Sequence, residues 1–165
     1  MAVIGTGDIA SVLPDRDDLV FFASGVSNSQ ETDEDEYKRE EALIMQQDKN
    51  KHIVYFGSLS IFYSETRYAK HKRLMEDTIR VYFSHYTIIR IGNIDWGKNP
   101  HTIINNFREK VKKGEKLEIQ DAYRYIVDKD EFLHWINLIP KWNCEINIPG
   151  KRMKIQEIVD LYVKP

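Results

Sequence analysis

Tyr68 and Lys72 stand four residues apart in a stretch with helical character, and positions i and i+4 lie one above the other on the same helix face. That spacing sets an ammonium beside a phenol. A nearby positive charge favours phenolate and lowers a tyrosine pKa from its reference of about 10. A phenol so tuned can exchange a proton with a substrate hydroxyl or carbonyl. Ser58 ends the apolar run Ile53-Val-Tyr-Phe-Gly-Ser, where it could hold the same oxygen by a hydrogen bond. The spacing alone equally describes a half-buried tyrosine with a solvated lysine on any amphipathic helix. The order of parts around the pair has to decide.

The elements that would position these residues alternate. Ala2-Val-Ile opens as a very short strand, and a turn and helix from Asp8 to Leu13 follow. Leu19 to Ser24 is a second strand, and a helix runs from about Asp33 to Gln47, with Thr32 and Asp35 as a capping box and an acidic, solvated start. His52 to Phe56 is a third strand, and Glu65 to Phe83 is a long helix carrying Tyr68 and Lys72, with Lys70 and His71 on solvated faces. Tyr86 to Gly92 is a fourth strand, and a loop from Asn93 leads to a helix over Thr102 to Lys113. Short strands are expected at Leu117 to Ile119 and Tyr123 to Val127, a helix at Asp130 to Ile139, a strand at Glu145 to Ile148 and a closing helix at Ile155 to Val163. Trp96 and Trp142 read as core residues. This alternation predicts an α/β layered fold with a mainly parallel sheet. The turns at Gly5, Ser24, Ser58 and Asn93 then share one sheet edge, where ligands bind in such folds. Gly5, Gly7 and Ala10 fit Gly-x-Gly-x-x-Gly/Ala, which allows a tight turn and close approach of a pyrophosphate to a helix N-terminus. A glycine turn with no ligand is the alternative.

Composition narrows the field. The 165 residues are enough for one domain with a real core. A net charge of −2 invites neither nucleic acid nor an anionic membrane surface. One cysteine, Cys144, allows no intrachain disulfide and suits a reducing, cytoplasmic compartment. No apolar run approaches the roughly 20 residues of a membrane span, and no basic region precedes the short apolar start, so no secretory signal is expected. The five histidines lack metal-ligand spacing, and no metal site is expected.

With these parts in this order, the chain resembles the extended short-chain dehydrogenase/reductase family, the NAD-dependent epimerase/dehydratase group. Gly5-Thr-Gly-Asp-Ile-Ala10 is similar to its phosphate-binding turn, and Phe22-Ala-Ser-Gly-Val-Ser to a later strand and loop. Phe56-Gly-Ser-Leu-Ser-Ile-Phe62 resembles its serine turn, with Phe62 replacing a usual tyrosine, and Tyr68-Ala-Lys-His-Lys72 its catalytic pair. Ile89-Arg-Ile-Gly-Asn93 resembles the strand supplying a substrate-contacting asparagine. Arg124-Tyr-Ile-Val-Asp128 and Asn147-Ile-Pro-Gly-Lys resemble later segments.

The resemblance implies a reduced Rossmann-like three-layer domain over 1–165, with 114–165 as a small C-terminal substrate-side extension and the first strand at the sheet edge. It implies Ser58, Tyr68 and Lys72 as catalytic residues, and Gly5, Gly7, Ala10, Ser24 and Lys72 as contacts to NAD or NADP. Asn93 and Arg124 become contacts to a carbohydrate or nucleotide-sugar substrate, although an asparagine after a strand is equally a loop-capping residue. It also implies a homodimer through the helices Asp33 to Gln47 and Arg67 to Phe83, with stripes Leu43, Ile44, Met45 and Leu74, Met75, Ile79, Val81. The chain departs from the pattern in lacking about two strands and two helices before Leu19. Its loop between Ser58 and Tyr68 is short, and Tyr123 stands where the family arginine would, one position before Arg124. No acid lies between Asp18 and Glu31 to take a cofactor ribose. A catalytically silent homologue serving as a binding or assembly module is the alternative.

Overall fold

The computed structural model describes residues 3–164, so Ala2 of the expected first strand lies outside the described residues. Strand β1 (Val3–Ile4) is followed by a single 3-10 turn, Ala10–Val12, where a helix was expected. Then come β2 (Val20–Phe22), α1 (Glu34–Met45), β3 (Ile53–Ser58), a 3-10 turn Leu59–Phe62, α2 (Arg67–Tyr82) and β4 (Tyr86–Ile91). Next are β5 (Asn93–Ile94), α3 (Ile103–Lys112), β6 (Tyr123–Val127) and α4 (Lys129–Asn137). The chain closes with β7 (Cys144–Ile148), β8 (Lys151–Lys154) and α5 (Ile155–Ile158), which continues as a π-helical turn, Val159–Val163.

The main sheet has the order β1-β2-β3-β4-β7, parallel throughout. β1 pairs only with β2 among the described residues, Val3 opposite Phe21, and so forms the expected edge. Alternation along the strands divides the apolar side chains between two faces. Phe21, Val54, Phe56 and Ile89 pack on Phe132 and Ile136 of α4. Phe22, Ile53, Tyr55 and Ile88 pack on Ile44 of α1 and Met75 and Ile79 of α2. The result is three layers. A smaller sheet, β5-β6-β8, sits with α3 and α5 at the C-terminal ends of the main strands.

Polar residues fix the helix starts. Thr66, Thr102 and Asp128 accept the amides of Ala69, Asn105 and Glu131, capping α2, α3 and α4. Such a cap contributes about 1 kcal/mol. Asp33, not Thr32, caps α1 through the amide of Asp35. Leu117 to Ile119 forms no strand, and β6 pairs with β5 and β8. Buried Glu76 of α2 binds Arg90 of β4, and Glu145 of β7 joins the pair, tying helix to sheet. The Arg90 guanidinium lies 5.1 Å from the Phe62 ring. No described helix is long and apolar enough to cross a membrane.

Candidate functional site

The segments leaving β1 to β4 enclose a cleft of about 1080 Å³ at the C-terminal edge of the sheet. Ser58, Tyr68, Lys72, Gly7, Ser24, Asn93 and Arg124 all line it. Gly5 and Ala10 do not; they lie with Val3 and Leu13 around a shallower hollow beside β1.

Ser58 ends β3, and its Oγ accepts the Ser60 amide at 3.1 Å and lies 2.8 Å from the Ser60 hydroxyl. Tyr68 sits half-buried in the first turn of α2. One turn on, the Lys72 ammonium lies 5.5 Å from the centre of the Tyr68 ring. The helical spacing thus sets the ammonium near the ring, while Nζ is hydrogen-bonded to other groups.

What surrounds Lys72 was not legible in the motif. Its side chain is only 3% exposed, and Nζ donates to Glu40 Oε1 at 3.1 Å and to the Tyr55 hydroxyl at 3.3 Å. Glu40, two turns beyond the solvated acidic start of α1, is fully buried. Its carboxylate also accepts from the Tyr55 hydroxyl (2.7 Å), the Val26 amide (3.0 Å) and His71 Nε2 (2.7 Å). Burial alone would raise its pKa; the Lys72 charge and these hydrogen bonds outweigh burial and hold the carboxyl well below the usual range. Burial and the Glu40 charge push the Tyr55 phenol up, so it stays a donor.

His71 is likewise fully buried, not solvated as expected, with its ring against Tyr37. Lys70 is exposed as expected. Gly25 closes over the ion pair. A Cβ there would lie 2.7 Å from Glu40 Oε1 and 2.8 Å from Lys72 Nζ. Glu40 follows Tyr37 by three residues and precedes Ile44 by four, and both are buried. That phase is the signal that places it inward.

The glycine turn has a local explanation. Gly5 has φ +124°, and a Cβ there would meet the Ala23 carbonyl oxygen at 2.3 Å. Position 5 must be glycine for β1 to lie against the end of β2. Beyond Gly7, the Asp8 carboxylate accepts the amides of Lys98 (2.9 Å) and Asn99 (2.8 Å), while Trp96 Nε1 donates to the Asp8 carbonyl. Trp96 packs on Phe132 as expected, but Trp142 is 71% exposed and not in the core. Asn93 donates to the Tyr125 carbonyl (3.1 Å), and Arg124 to the Tyr123 carbonyl (2.8 Å). Both are thereby braced at the cleft wall.

Ser58, Tyr68 and Lys72, the residues expected at the nicotinamide end of a dinucleotide, line one cleft. The adenosine end has no counterpart among the described residues. β1 is the sheet edge, and the turn after Gly7 is too short to present a helix N-terminus.

No protein-family profile and no curated protein sequence matches the chain. Solved structures do match its fold. They include the Bordetella bronchiseptica enzyme WbmH in complex with NAD+ (TM-score 0.69, 16% identity, 87% of this chain and 56% of that one). WbmG of the same organism, with NAD and UDP, matches at TM-score 0.62 and 17% identity over 89% of this chain and 56% of that one. A Thermus thermophilus UDP-glucose 4-epimerase in complex with NAD matches at TM-score 0.63 and 16% identity, over 89% of this chain and 61% of that one. The chain spans little more than half the length of these enzymes. It carries, in reduced form, the Rossmann-like fold of NAD-binding sugar-nucleotide epimerases and their structural relatives.

Proposed function

We propose that the chain acts on a carbohydrate or nucleotide-sugar substrate through Ser58, Tyr68 and Lys72, as an epimerase, dehydratase or reductase that works with NAD or NADP. The observation that carries this is the convergence of all three residues with Asn93 and Arg124 on one cleft at the C-terminal edge of a parallel sheet. In this reading the Tyr68 hydroxyl exchanges a proton with a substrate hydroxyl or carbonyl. Ser58 Oγ, already oriented by Ser60, donates to the same substrate oxygen and holds it near the phenol. Lys72 sets the local field from below, and Arg124 and Asn93 face the polar parts of the substrate. A nicotinamide cofactor, when bound, supplies hydride transfer. Ser58, Tyr68 and Lys72 would face its nicotinamide ribose.

UDP and UDP-glucose accompany matching structures, so uridine-diphosphate sugars are the first substrates to try. The lone Cys144, a free thiol, supports a reducing, cytoplasmic setting. The active form in this reading is a homodimer joined through α1 and α2. The test is turnover of such sugars with added NAD or NADP. Tyr68→Phe should lower turnover by about 10²–10⁴-fold with the fold intact, and full activity in that variant would remove Tyr68 from the mechanism. The missing adenosine side favours a second reading, a binding module for the same sugar class, in which ligand binds but no turnover occurs.

A further inference from the structure

We propose that Glu40 is the positioning residue of this site, a buried carboxylate that fixes the Lys72 ammonium beneath Tyr68. The proposal rests on the reading of Ser58, Tyr68 and Lys72 given above. Four segments converge on this one side chain. The loop after β2 brings the Val26 amide, β3 the Tyr55 hydroxyl, and α2 both His71 and Lys72, while α1 carries the carboxylate itself. Any side chain at position 25 would strike both the Glu40 carboxylate and the Lys72 ammonium.

Such a pair is a poor way to gain stability, since apolar residues of similar volume often do as well. What it provides is a fixed place for the ammonium. A free lysine side chain samples many rotamers, whereas this one is bound at two partners. Lys72 has three protons to donate, and with Glu40 and Tyr55 served, at most one is left for the cleft. The groups around the pair and its partners are Tyr37 and Glu41 of α1, Tyr55 of β3, and Tyr68, His71 and Glu76 of α2, with the Arg67 guanidinium stacked on Tyr37. Glu41 lies 3.7 Å from His71 Nδ1, an atom without a hydrogen-bond partner. Because Glu40 offsets Lys72, removing its charge leaves a net positive centre under the phenol.

The experiment uses the full chain and begins with nuclear magnetic resonance of the lysine ammonium groups, which needs no substrate. The Lys72 Nζ signal, assigned by its loss in Lys72→Met, should be protected from solvent in the unmodified chain and lost or shifted in Glu40→Gln. An unprotected Lys72 signal in the unmodified chain overturns the proposal, even if Glu40→Gln does not fold. With uridine-diphosphate sugars as substrates, Glu40→Gln should lower kcat by about 10²-fold and leave KM within about twofold. Its pH–rate profile should move to lower pH, and Glu40→Asp should restore part of kcat. A folded Glu40→Gln chain with unchanged kcat and pH profile refutes the proposal while the Ser58–Tyr68–Lys72 reading stands. Full turnover in Tyr68→Phe, or binding without turnover in the unmodified chain, defeats that reading instead. The ammonium signal then still decides whether Glu40 fixes Lys72.

Discussion

At the scale of single residues, the Lys72 ammonium is held by one buried carboxylate that no motif contains. The Tyr-x-x-x-Lys spacing follows from helix geometry and could be read directly. The partner of Lys72 could not, because Glu40 lies in another helix, 32 positions earlier, and only the fold brings them together. Glu40 also looks like one more acid in the run Glu34, Asp35, Glu36, Glu40, Glu41. Its inward phase is visible only once Tyr37 and Ile44 are known to be buried. The pairing has a pH consequence. Glu40 holds its proton less readily folded than unfolded. Its contribution to stability is therefore fully present above the unfolded value of about 4.3 and declines as pH falls toward the lower folded value. Denaturant titrations at neutral and acid pH should show that decline in the unmodified chain and a flatter acid limb in Glu40→Gln. At neutral pH the variant should be less stable, by about 3–5 kcal/mol if the buried Lys72 stays charged and unpaired. Equal stability of the two chains at neutral pH would mean that the pair is loosely held.

At the scale of elements, the strands and helices were legible wherever periodicity and caps agreed. The helices α2, α3 and α4 begin at Thr66, Thr102 and Asp128, residue types that accept N-terminal amides. The failures share a cause, which is that tertiary contacts set the outcome. The segment after Gly7 is tied by Asp8 and Trp96 to the loop before α3, so it makes only a 3-10 turn. β8 carries Lys151, Arg152 and Lys154, a poor strand pattern, and is held by its ladder to β6. The apolar stripes of α1 and α2 also divide in the fold. Ile44, Met75 and Ile79 are buried, most of them against the sheet, whereas Met45, Leu74 and Val81 remain exposed, Val81 at 73%. The exposed set is what a two-fold pairing of α1 and α2 would cover. Light scattering at micromolar concentration should give twice the chain mass, and Val81→Glu with Leu74→Glu should give the monomer with unchanged helix content. A monomeric unmodified chain would leave the stripe as ordinary surface.

At the scale of the whole molecule, the described residues build a parallel sheet, in a chain that spans little more than half the length of the matching enzymes. In a parallel sheet, ligands lie outside the C-terminal strand ends, where the connections diverge. Here, among the described residues, β1 pairs on one side only, so beyond the segment Thr6 to Ile9 that leaves it no further strand extends the cleft wall. The pyrophosphate position loses support as well. The turn after Gly7 offers one short 3-10 turn in place of a helix N-terminus, and the Asp8 carboxylate beside it repels an anion. The acid that would take an adenosine ribose has no strand to sit on. In the proposed reading these losses would fall on one end of a dinucleotide, and Ser58, Tyr68 and Lys72 would serve the other. A sugar or nucleotide sugar needs only the side that remains. The expected outcome is that calorimetry on verified monomer finds binding of NAD, NADH, NADP and NADPH weak or undetectable, and that uridine-diphosphate sugars bind more tightly than any of the four. Tight dinucleotide binding confined to the dimer would mean that a second copy completes the wall. Submicromolar affinity in the monomer would show that the open edge does not limit cofactor binding, and that the turn at Gly7 suffices for the pyrophosphate.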